Sequence, residues 1–279
     1  MTFEKIQSHA KINLFLDVLS KREDGYHDIY SLISKIDLYD EIEIEKSNSL
    51  EIIFEGQFSS MIKLNAIEQL FEYLFEKNYL PEFPFKIKIK KNIPVGAGLG
   101  GGSSNIASLL MHLIKNKLIN EDQCLKTARE LGSDIEFFFE RKPSFIIGKG
   151  LVDRSIKIIG EKQILLVYPF IDLSTEAVFR NNKSFVQKSD INENATSLEL
   201  EHILHVTSNN LETSSINLCN QIKLVLDFLK NHKNCQFARM TGSGSCVFAL
   251  LDNEFEASKV TQDISSKFPD WWTKITKLI

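Results

Sequence analysis

The sequence predicts an α+β fold, in which strands and helices mix without a regular βαβ repeat. Residues 85–90 (FKIKIK) alternate apolar side chains with lysines, which is typical of a strand with one face in water. A fully buried parallel strand would be apolar almost throughout. The chain then passes through a glycine-rich run into a helix, where apolar residues from Ile106 to Ile114 recur at helical spacing. These patterns favour α+β layers over a doubly wound sheet.

Short elements are predicted before this run. A strand is expected at 11–19, and apolar residues at 42–44 and 50–54 suggest a hairpin across the polar residues 46–49. Residues 65–75 carry apolar side chains at helical spacing, so a helix is expected there.

The elements after the run are predicted in the same way. They are a helix at 121–131 closed by Gly132, a strand at 164–168, a helix at 218–229, a glycine turn at 241–245, a strand at 246–251 and a helix at 258–268. Residues 181–200, rich in Asn and Ser, are expected to form the most mobile loop. A boundary near 149–157 would divide the chain into domains 1–150 and 151–279.

Composition limits the class of protein. Among 279 residues, 43% are hydrophobic and 25% charged, as in ordinary globular proteins, and the net charge of −4 gives no reason to expect a nucleic-acid partner. The four cysteines show no C-x-x-C spacing, which favours reduced thiols in a cytoplasmic protein. The sequence has no secretory signal and no stretch long enough to span a membrane. We therefore expect a cytoplasmic monomer or weak homodimer without membrane partners.

The glycine-rich run, residues 94–105 (PVGAGLGGGSSN), predicts a phosphate site. Five of the thirteen glycines fall within 96–102, and Ser103 and Ser104 follow directly. Glycine permits a close approach of backbone to ligand, and a helix N-terminus offers free N–H groups and a positive dipole end. A flexible turn is the alternative, but it has no use for five glycines in register before a helix.

Two better-known phosphate loops fit this run poorly. A P-loop needs a Gly-Lys-Ser/Thr ending, and no lysine occurs between Lys91 and Lys115. The dinucleotide pattern G-x-G-x-x-G matches at Gly96, Gly98 and Gly101, but the half-wet strand before it, the proline and the triple glycine argue against that interpretation.

Three further runs carry candidate chemical groups. Lys11 is a lone charge in an apolar strand (SHAKINL), Asp134 follows a helix and precedes an aromatic run, and Tyr26 and His27 stand side by side in DGYH. Each has an ordinary alternative: a lysine that reaches solvent, an aspartate helix cap, and a surface loop. An aspartate beside apolar residues is also where a catalytic base is found, and a Tyr-His pair can bind a planar base.

Together these runs resemble the GHMP kinase superfamily, whose three motifs occur in order at 8–14, 94–105 and 239–250. Within it, the chain is similar to the family of kinases that phosphorylate 4-diphosphocytidyl-2-C-methyl-D-erythritol. The runs that carry this similarity are AKINLFL (10–16), RxDGYH (22–27), LGSD (131–134) and STEAVF (174–179). The resemblance implies a two-domain fold of mixed and antiparallel sheets flanked by helices. It also implies transfer of phosphate from ATP, with Mg²⁺, to the substrate 2-hydroxyl in the non-mevalonate isoprenoid pathway.

The resemblance also implies roles for individual residues. Lys11 and Asp134 match the catalytic positions. Tyr26 and Phe179 match an aromatic pair that sandwiches cytosine, and His27 matches the residue that reads the base edge. The substrate side further includes Asn13, Thr175, Gly242 and Ser243. The ATP side comprises Asn65, Lys91, Pro94, Gly96, Gly98, Leu99, Gly100, Gly101, Gly102, Ser103 and Ser104. No protein residue is assigned as a metal ligand.

Four positions depart from the family pattern, namely Leu64, Glu136, Leu151 and Asn210. They bear on nucleotide affinity and loop geometry, because none replaces a residue assigned to the chemistry. Two other functions remain open: a homoserine or mevalonate kinase-like enzyme, which would not need the Tyr26, His27 and Phe179 set, and a binding module without activity, which would not need Lys11 or Asp134.

Overall fold

The computed structural model describes residues 4–83, 85–192 and 194–279. The strands in these ranges are β1 (Glu4–Lys21), β2 (His27–Lys46), β3 (Glu51–Glu55), β4 (Phe85–Lys90), β5 (Ser144–Gly148), β6 (Leu151–Ser155), β7 (Lys157–Ile159), β8 (Gln163–Tyr168), β9 (Ser197–Glu199), β10 (Phe237–Met240), β11 (Val247–Leu251) and β12 (Trp272–Thr276). The α-helices are α1 (Ala66–Glu76), α2 (Gly101–Lys115), α3 (Glu121–Leu131), α4 (Thr175–Asn181), α5 (Leu200–Val206), α6 (Glu212–Leu218), α7 (Asn220–Lys230) and α8 (Glu254–Lys267). The predicted α+β class is confirmed.

The chain forms two compact units, each assembled from separate stretches. The first unit takes the chain up to Ala10, Leu38–Val95 and Gly100–Arg141; the second takes Lys11–Asp37, Gly96–Leu99 and Lys142–Ile279. The two long strands and the glycine-rich run therefore contribute residues to both units. The division at residue 150 remains a sequence-based prediction.

In the first unit, β4 lies between the second half of β2 and β3. It pairs antiparallel with β2, from Glu41 opposite Lys90 to Lys46 opposite Phe85, and parallel with β3. The predicted hairpin between 42–44 and 50–54 is therefore wrong. The charges explain the difference, since the β4 lysines pair with glutamates on both neighbours, whereas a hairpin would set glutamates of β2 near those of β3.

The predicted helices of the first unit are confirmed, and their ends follow from capping. Asn65 begins α1 by accepting hydrogen bonds from the backbone N–H groups of Ile67 and Glu68, at 3.1 and 3.2 Å. A capping box between Asn120 and Gln123 begins α3. Both helices bury an apolar face, and they pack with α2.

The second unit contains an antiparallel sheet in the order β10-β11-β8-β12, against which α7 and α8 pack. The predicted strands at 164–168 and 246–251 correspond to β8 and β11, and the predicted last helix to α8. The helix predicted at 218–229 corresponds mainly to α7, with the extended residue Cys219 separating it from α6. The first part of β2 pairs with β5, which pairs with β6.

Strand β1 is longer than predicted, and its middle is covered on both faces. Every side chain from Ala10 to Val18 is buried, including those of Lys11, Asn13 and Asp17. Buried polar groups require hydrogen-bond partners. Those of Lys11 and Asn13 belong to the candidate site.

The segment after α4, predicted to be mobile, makes specific contacts with β1. Val186 donates its N–H to Val18 O at 3.1 Å, and Ser189 donates its N–H to the Asp17 carboxylate at 2.8 Å. Burial raises the pKa of Asp17, and the hydrogen bonds from Ser189 oppose that shift. Glu193 lies outside the described residues, and the mobility of the segment remains a prediction.

A buried arginine ties β10 to the rest of the second unit. Arg239 donates to the carbonyl oxygens of Leu14 (2.6 Å), Leu204 (2.8 Å) and Thr207. Burial lowers the pKa of its guanidinium to about 10, and the charges of nearby Glu212 and Asp17 oppose this shift.

Among the helices described, none combines the length and apolarity that crossing a membrane requires.

Candidate active site

The glycine-rich run adopts a conformation that only glycine takes readily. Gly96, Gly98 and Gly100 have φ angles of +66°, +77° and +70°, and α2 begins at Gly101. The first N–H groups of a helix have no partner within it. The N-terminus of α2 therefore presents N–H donors and the positive end of the helix dipole, the arrangement that binds phosphate.

Two neighbouring glycines in the first turn of α2 differ in their surroundings. A Cβ built on Gly101 would lie 3.0 Å from Ile93 Cγ2 and 3.4 Å from Lys91 Nζ, whereas one on Gly102 would meet nothing within 4 Å. Gly101 therefore serves packing inside the first unit, while Gly102 faces open space at the helix N-terminus.

A buried polar network lies beside the start of α2 in the first unit. Lys91 forms an ion pair with Asp40 and donates to Asn105 Oδ1 at 3.1 Å. Asn105 donates to Asp40 at 3.1 Å and to Ser8 Oγ at 2.9 Å, and Ser8 donates to Ser104 Oγ at 2.8 Å. Lys91 and Ser104, both predicted on the ATP side, are thus held in place by hydrogen bonds and an ion pair with other residues of the first unit.

Sequence reasoning missed Asp40 and Asn105. Asp40 also accepts the backbone N–H groups of Asn92 and Ile93, at 2.8 and 2.9 Å. A signal was present, because Asp40 occupies an inward position of β2, in phase with the buried residues Leu38, Ile42 and Ile44. A carboxylate at a strand position that faces the core is expected to be buried and to have hydrogen-bond or ionic partners.

Lys11 and Asn13 are brought together in the second unit. Lys11 Nζ donates to Asn13 Oδ1 at 2.6 Å, and Asn13 Nδ2 donates to Ser31 Oγ at 2.9 Å. The backbone N–H of Asn13 donates to Thr241 Oγ1 at 2.9 Å. The expected contact of Asn13 with substrate remains a prediction, since its amide also holds the lysine ammonium within the protein.

The second glycine turn, residues 241–245, touches the glycine-rich run through its backbone. A Cβ on Gly98 would overlap Thr241 O, and Cys246 donates its N–H to Ala97 O at 3.2 Å. Gly242, with a φ of +55°, lies beside the lysine pair, since a Cβ on it would come within 3.3 Å of Asn13 Oδ1 and 3.4 Å of Lys11 Nζ.

The start of α4 and the residues just before it add two groups to this region. Thr175 Oγ1 lies 2.9 Å from Ser243 Oγ, so two residues predicted on the substrate side are hydrogen-bonded to each other. The carboxylate of Asp172 lies against Gly96, where it would overlap any Cβ. Asp172 was missed in the sequence, where it carries no distinguishing signal.

Two residues of the predicted base pocket, His27 and Phe179, form an aromatic cluster with Phe185 in the second unit. The rings of His27 and Phe179 lie 5.1 Å apart with a tilt of 34°, and the ring of Phe185 is 6.3 Å from His27. Tyr26 is 59% exposed, with Lys149 Nζ 4.4 Å from its ring centre. Sequence reasoning missed Phe185 and Lys149. Burial lowers the pKa of His27, which favours the neutral imidazole.

The remaining predicted positions lie in both units: Asp134, Glu136 and Leu64 in the first, and Leu151 and Asn210 in the second. Asp134 follows the end of α3, just before the 3-10 helix Glu136–Phe139. Of the four departures, Glu136 binds Arg129, Asn210 donates to Ser184 Oγ at 3.2 Å, and Leu64 and Leu151 are exposed. Within the described ranges, no cluster of three or more His, Cys, Asp or Glu residues could hold a metal ion.

Comparison with known proteins identifies the class. Residues 64–139 match the family described as GHMP kinases N terminal domain, and residues 185–270 match GHMP kinases C terminal. The fold is similar to that of solved kinases, including L. major mevalonate kinase in complex with R-mevalonate, at 14% identity and a TM-score of 0.67. That match covers 99% of this chain and 96% of the other.

More similar relatives narrow the class. The 4-diphosphocytidyl-2-C-methyl-D-erythritol kinase of Pelagibacter ubique is 35% identical, covering 99% of both chains, and that of Clostridium perfringens is 32% identical over 99% of this chain and 98% of its own. A crystal structure of 4-(cytidine 5'-diphospho)-2C-methyl-D-erythritol kinase matches with a TM-score of 0.80 and 25% identity, over 99% of each chain. The chain therefore belongs to the 4-diphosphocytidyl-2-C-methyl-D-erythritol kinase family of GHMP kinases, which use ATP.

Substitutions at the two neighbouring glycines of α2 should separate an effect on folding stability from an effect on ATP binding. Gly101→Val should lower the free energy of unfolding by about 1–3 kcal/mol, because its branches must displace Ile93. Gly102→Val should leave folding nearly unchanged but weaken ATP binding, because its side chain fills the space before the helix N-terminus. Denaturant unfolding and calorimetry with a non-hydrolysable ATP analogue measure the two effects. Equal loss of ATP affinity without loss of stability in both variants would contradict this distinction.

Proposed function

We propose that this chain transfers the γ-phosphoryl group of ATP to the 2-hydroxyl of 4-diphosphocytidyl-2-C-methyl-D-erythritol, releasing ADP. Family membership over nearly the whole chain supports the reaction. The observation that carries the substrate assignment is the aromatic cluster of His27, Phe179 and Phe185, with the exposed Tyr26 next to His27 in the sequence. Aromatic rings and a neutral imidazole suit a planar, uncharged base such as cytosine.

Phosphoryl transfer depends chiefly on positioning and on charge stabilisation in a loose transition state. The N–H groups at the start of α2 would bind phosphate oxygens of ATP, with Gly102 leaving the approach open. Asp134 would accept the proton of the 2-hydroxyl as its oxygen bonds to phosphorus and the bond to ADP breaks. Lys11 would offset negative charge on the transferred group.

The residues present fit a magnesium ion delivered with ATP. Mg²⁺ is usually held by phosphate oxygens, water and one or two protein oxygens, so a dedicated cluster of carboxylates is not required. The Ser103 hydroxyl, partly exposed in the first turn of α2, suits this role better than that of Ser104, which is buried and accepts a hydrogen bond from Ser8. When bound, Mg²⁺ neutralises phosphate charge.

The hydrogen bond from Lys11 to Asn13 has a mechanistic use. A lysine side chain has many rotamers, and fixing it costs conformational entropy. The Asn13 amide is itself fixed by Ser31, so it holds the ammonium in one place before substrate arrives. We propose Asn13 as a residue that both orients Lys11 and lies near the methylerythritol hydroxyls.

An ADP-release assay separates this function from its alternatives. The purified protein should release ADP with 4-diphosphocytidyl-2-C-methyl-D-erythritol, and not with homoserine or mevalonate. Activity with either of those would support the superfamily-level alternative, and no activity with any acceptor would support a binding module. Cytoplasmic location and a monomeric or weakly dimeric state remain predictions.

Substitutions at the two proposed catalytic positions should reduce turnover without unfolding the protein. Asp134→Asn should lower kcat by about 10²–10⁴-fold, the usual contribution of a positioned general base. Lys11→Ala should also lower kcat, because the transferred phosphoryl group loses a stabilising charge. Lys86→Ala is the control, since Lys86 lies on the wet face of β4 and pairs with Glu45 at 3.4 Å. If Lys11→Ala and Lys86→Ala were equally active, Lys11 would have no catalytic role.

The aromatic cluster should determine affinity for the cytidine substrate alone. Tyr26→Ala and Phe179→Ala should raise KM for that substrate, with KM for ATP and kcat nearly unchanged, because stacking with a base contributes about 1–3 kcal/mol. Phe255→Ala is a matched control, since its ring is 67% exposed and lies 3.9 Å from Lys259 Nζ, much as Tyr26 lies beside Lys149. An equal effect of Tyr26→Ala and Phe179→Ala on both substrates would contradict the pocket assignment.

A further inference from the structure

Two side chains, one just before α6 and one within it, hold the backbone of the second glycine turn. Asn209 Nδ2 donates to two carbonyl oxygens, Met240 O and Gly242 O, both at 2.8 Å, while its Oδ1 accepts the N–H of Leu211 at 3.0 Å. Ser215 Oγ donates to Ser243 O at 3.0 Å. The carbonyl oxygens of Met240, Gly242 and Ser243, at the start of the turn and within it, are therefore held by these two side chains.

Asn209 is itself fixed by the strand that carries Lys11 and Asn13. Leu16 N donates to Ser208 O at 3.0 Å, and Asn210 N donates to Leu16 O at 2.8 Å. Strand β1 therefore forms hydrogen bonds with the residues directly before and after Asn209. The backbone around Asn209 is thus held by β1, while its amide holds the turn, within the second unit.

The hydrogen bond to Gly242 O sets the direction of the next N–H group. A trans peptide is planar, with its C=O and N–H pointing to opposite sides. Because Gly242 O points at Asn209, the N–H of Ser243 points to the other side of the turn. In the described ranges this N–H donates to no backbone carbonyl, and Ser243 as a residue is only 6% exposed. Buried N–H groups without an acceptor are rare, and one near a proposed catalytic lysine suits a negatively charged oxygen.

We infer that Asn209 is a positioning residue for phosphoryl transfer, which aims the Ser243 N–H at a phosphate oxygen of the bound substrates. This inference rests on the proposed function. Asn209 does not touch substrate; it acts by holding the 242–243 peptide in one orientation next to Lys11 and Asn13. Gly242 permits the required φ of +55°, and Asn209 selects it.

An isosteric substitution tests this role. Asn209→Asp keeps an acceptor for the Leu211 N–H but replaces both donated hydrogen bonds with repulsion between oxygens. We expect kcat to fall by about 10²-fold, as misplacement of a group by about 1 Å can cause, while KM for ATP stays unchanged. Hydrogen exchange measured by mass spectrometry should be faster in a peptide covering 240–246.

The matched control is Asn182→Asp. Asn182 and Asn209 are each 7% exposed, and Asn182 Nδ2 also donates to a backbone carbonyl, that of Ser184, at 2.8 Å. This variant should lose comparable stability while kcat and exchange in 240–246 stay at the parent values. A purely structural role for Asn209 would give both variants the same small effect on kcat.

The outcomes distinguish this inference from the proposed function. Normal kcat in Asn209→Asp would overturn the inference, whether or not exchange in 240–246 accelerates, and would leave the function intact. Unchanged exchange together with reduced kcat would also overturn it, because Asn209 would then not hold the turn. Absence of activity in the parent protein would overturn the function, and the exchange comparison would still decide whether Asn209 holds the turn.

Discussion

Two glycine turns of the second unit approach each other so closely that their backbones leave no room for a side chain. Gly98 lies against Thr241 O, and Ala97 O accepts the N–H of Cys246 at 3.2 Å. Lys11 donates its own N–H to Leu99 O at 3.0 Å, which adds β1 to the same contact. The lysine, the glycine-rich run and the second turn come together because three pieces of backbone touch directly.

The polar groups near this backbone are buried and hydrogen-bonded to one another. They fix the geometry of the site more than they add to the free energy of unfolding. A buried ion pair such as Lys91 with Asp40 contributes little net stability, because desolvation offsets the attraction, yet loss of one partner costs about 3–5 kcal/mol. The Asp40 carboxylate also fixes the backbone at Asn92 and Ile93, which leads into the glycine-rich run. Such a network permits one geometry and penalises the alternatives.

Most helices and strands, and the family, could be predicted from the sequence, because each is indicated by a pattern of residues that are close together in the chain. The alternation of β4, the apolar spacing of α2 and the glycine run each lie within a few residues. The hairpin prediction failed because pairing of β3 with β4 depends on charges that are distant in sequence. The roles of Asn209 and Asp172 could not be predicted, since a side chain that bonds to a distant carbonyl or lies against a distant glycine leaves no periodic pattern.

The environment of His27 bears on the proposed recognition of a base. Burial, helped by the charge of Lys21, lowers the pKa of His27 below its ordinary value, which favours the neutral ring. A neutral imidazole has one donor and one acceptor nitrogen, whereas the protonated ring has donors only. The burial that brings the ring against Phe179 therefore also favours the form with one donor and one acceptor, which is the form that the proposed reading of a base edge requires.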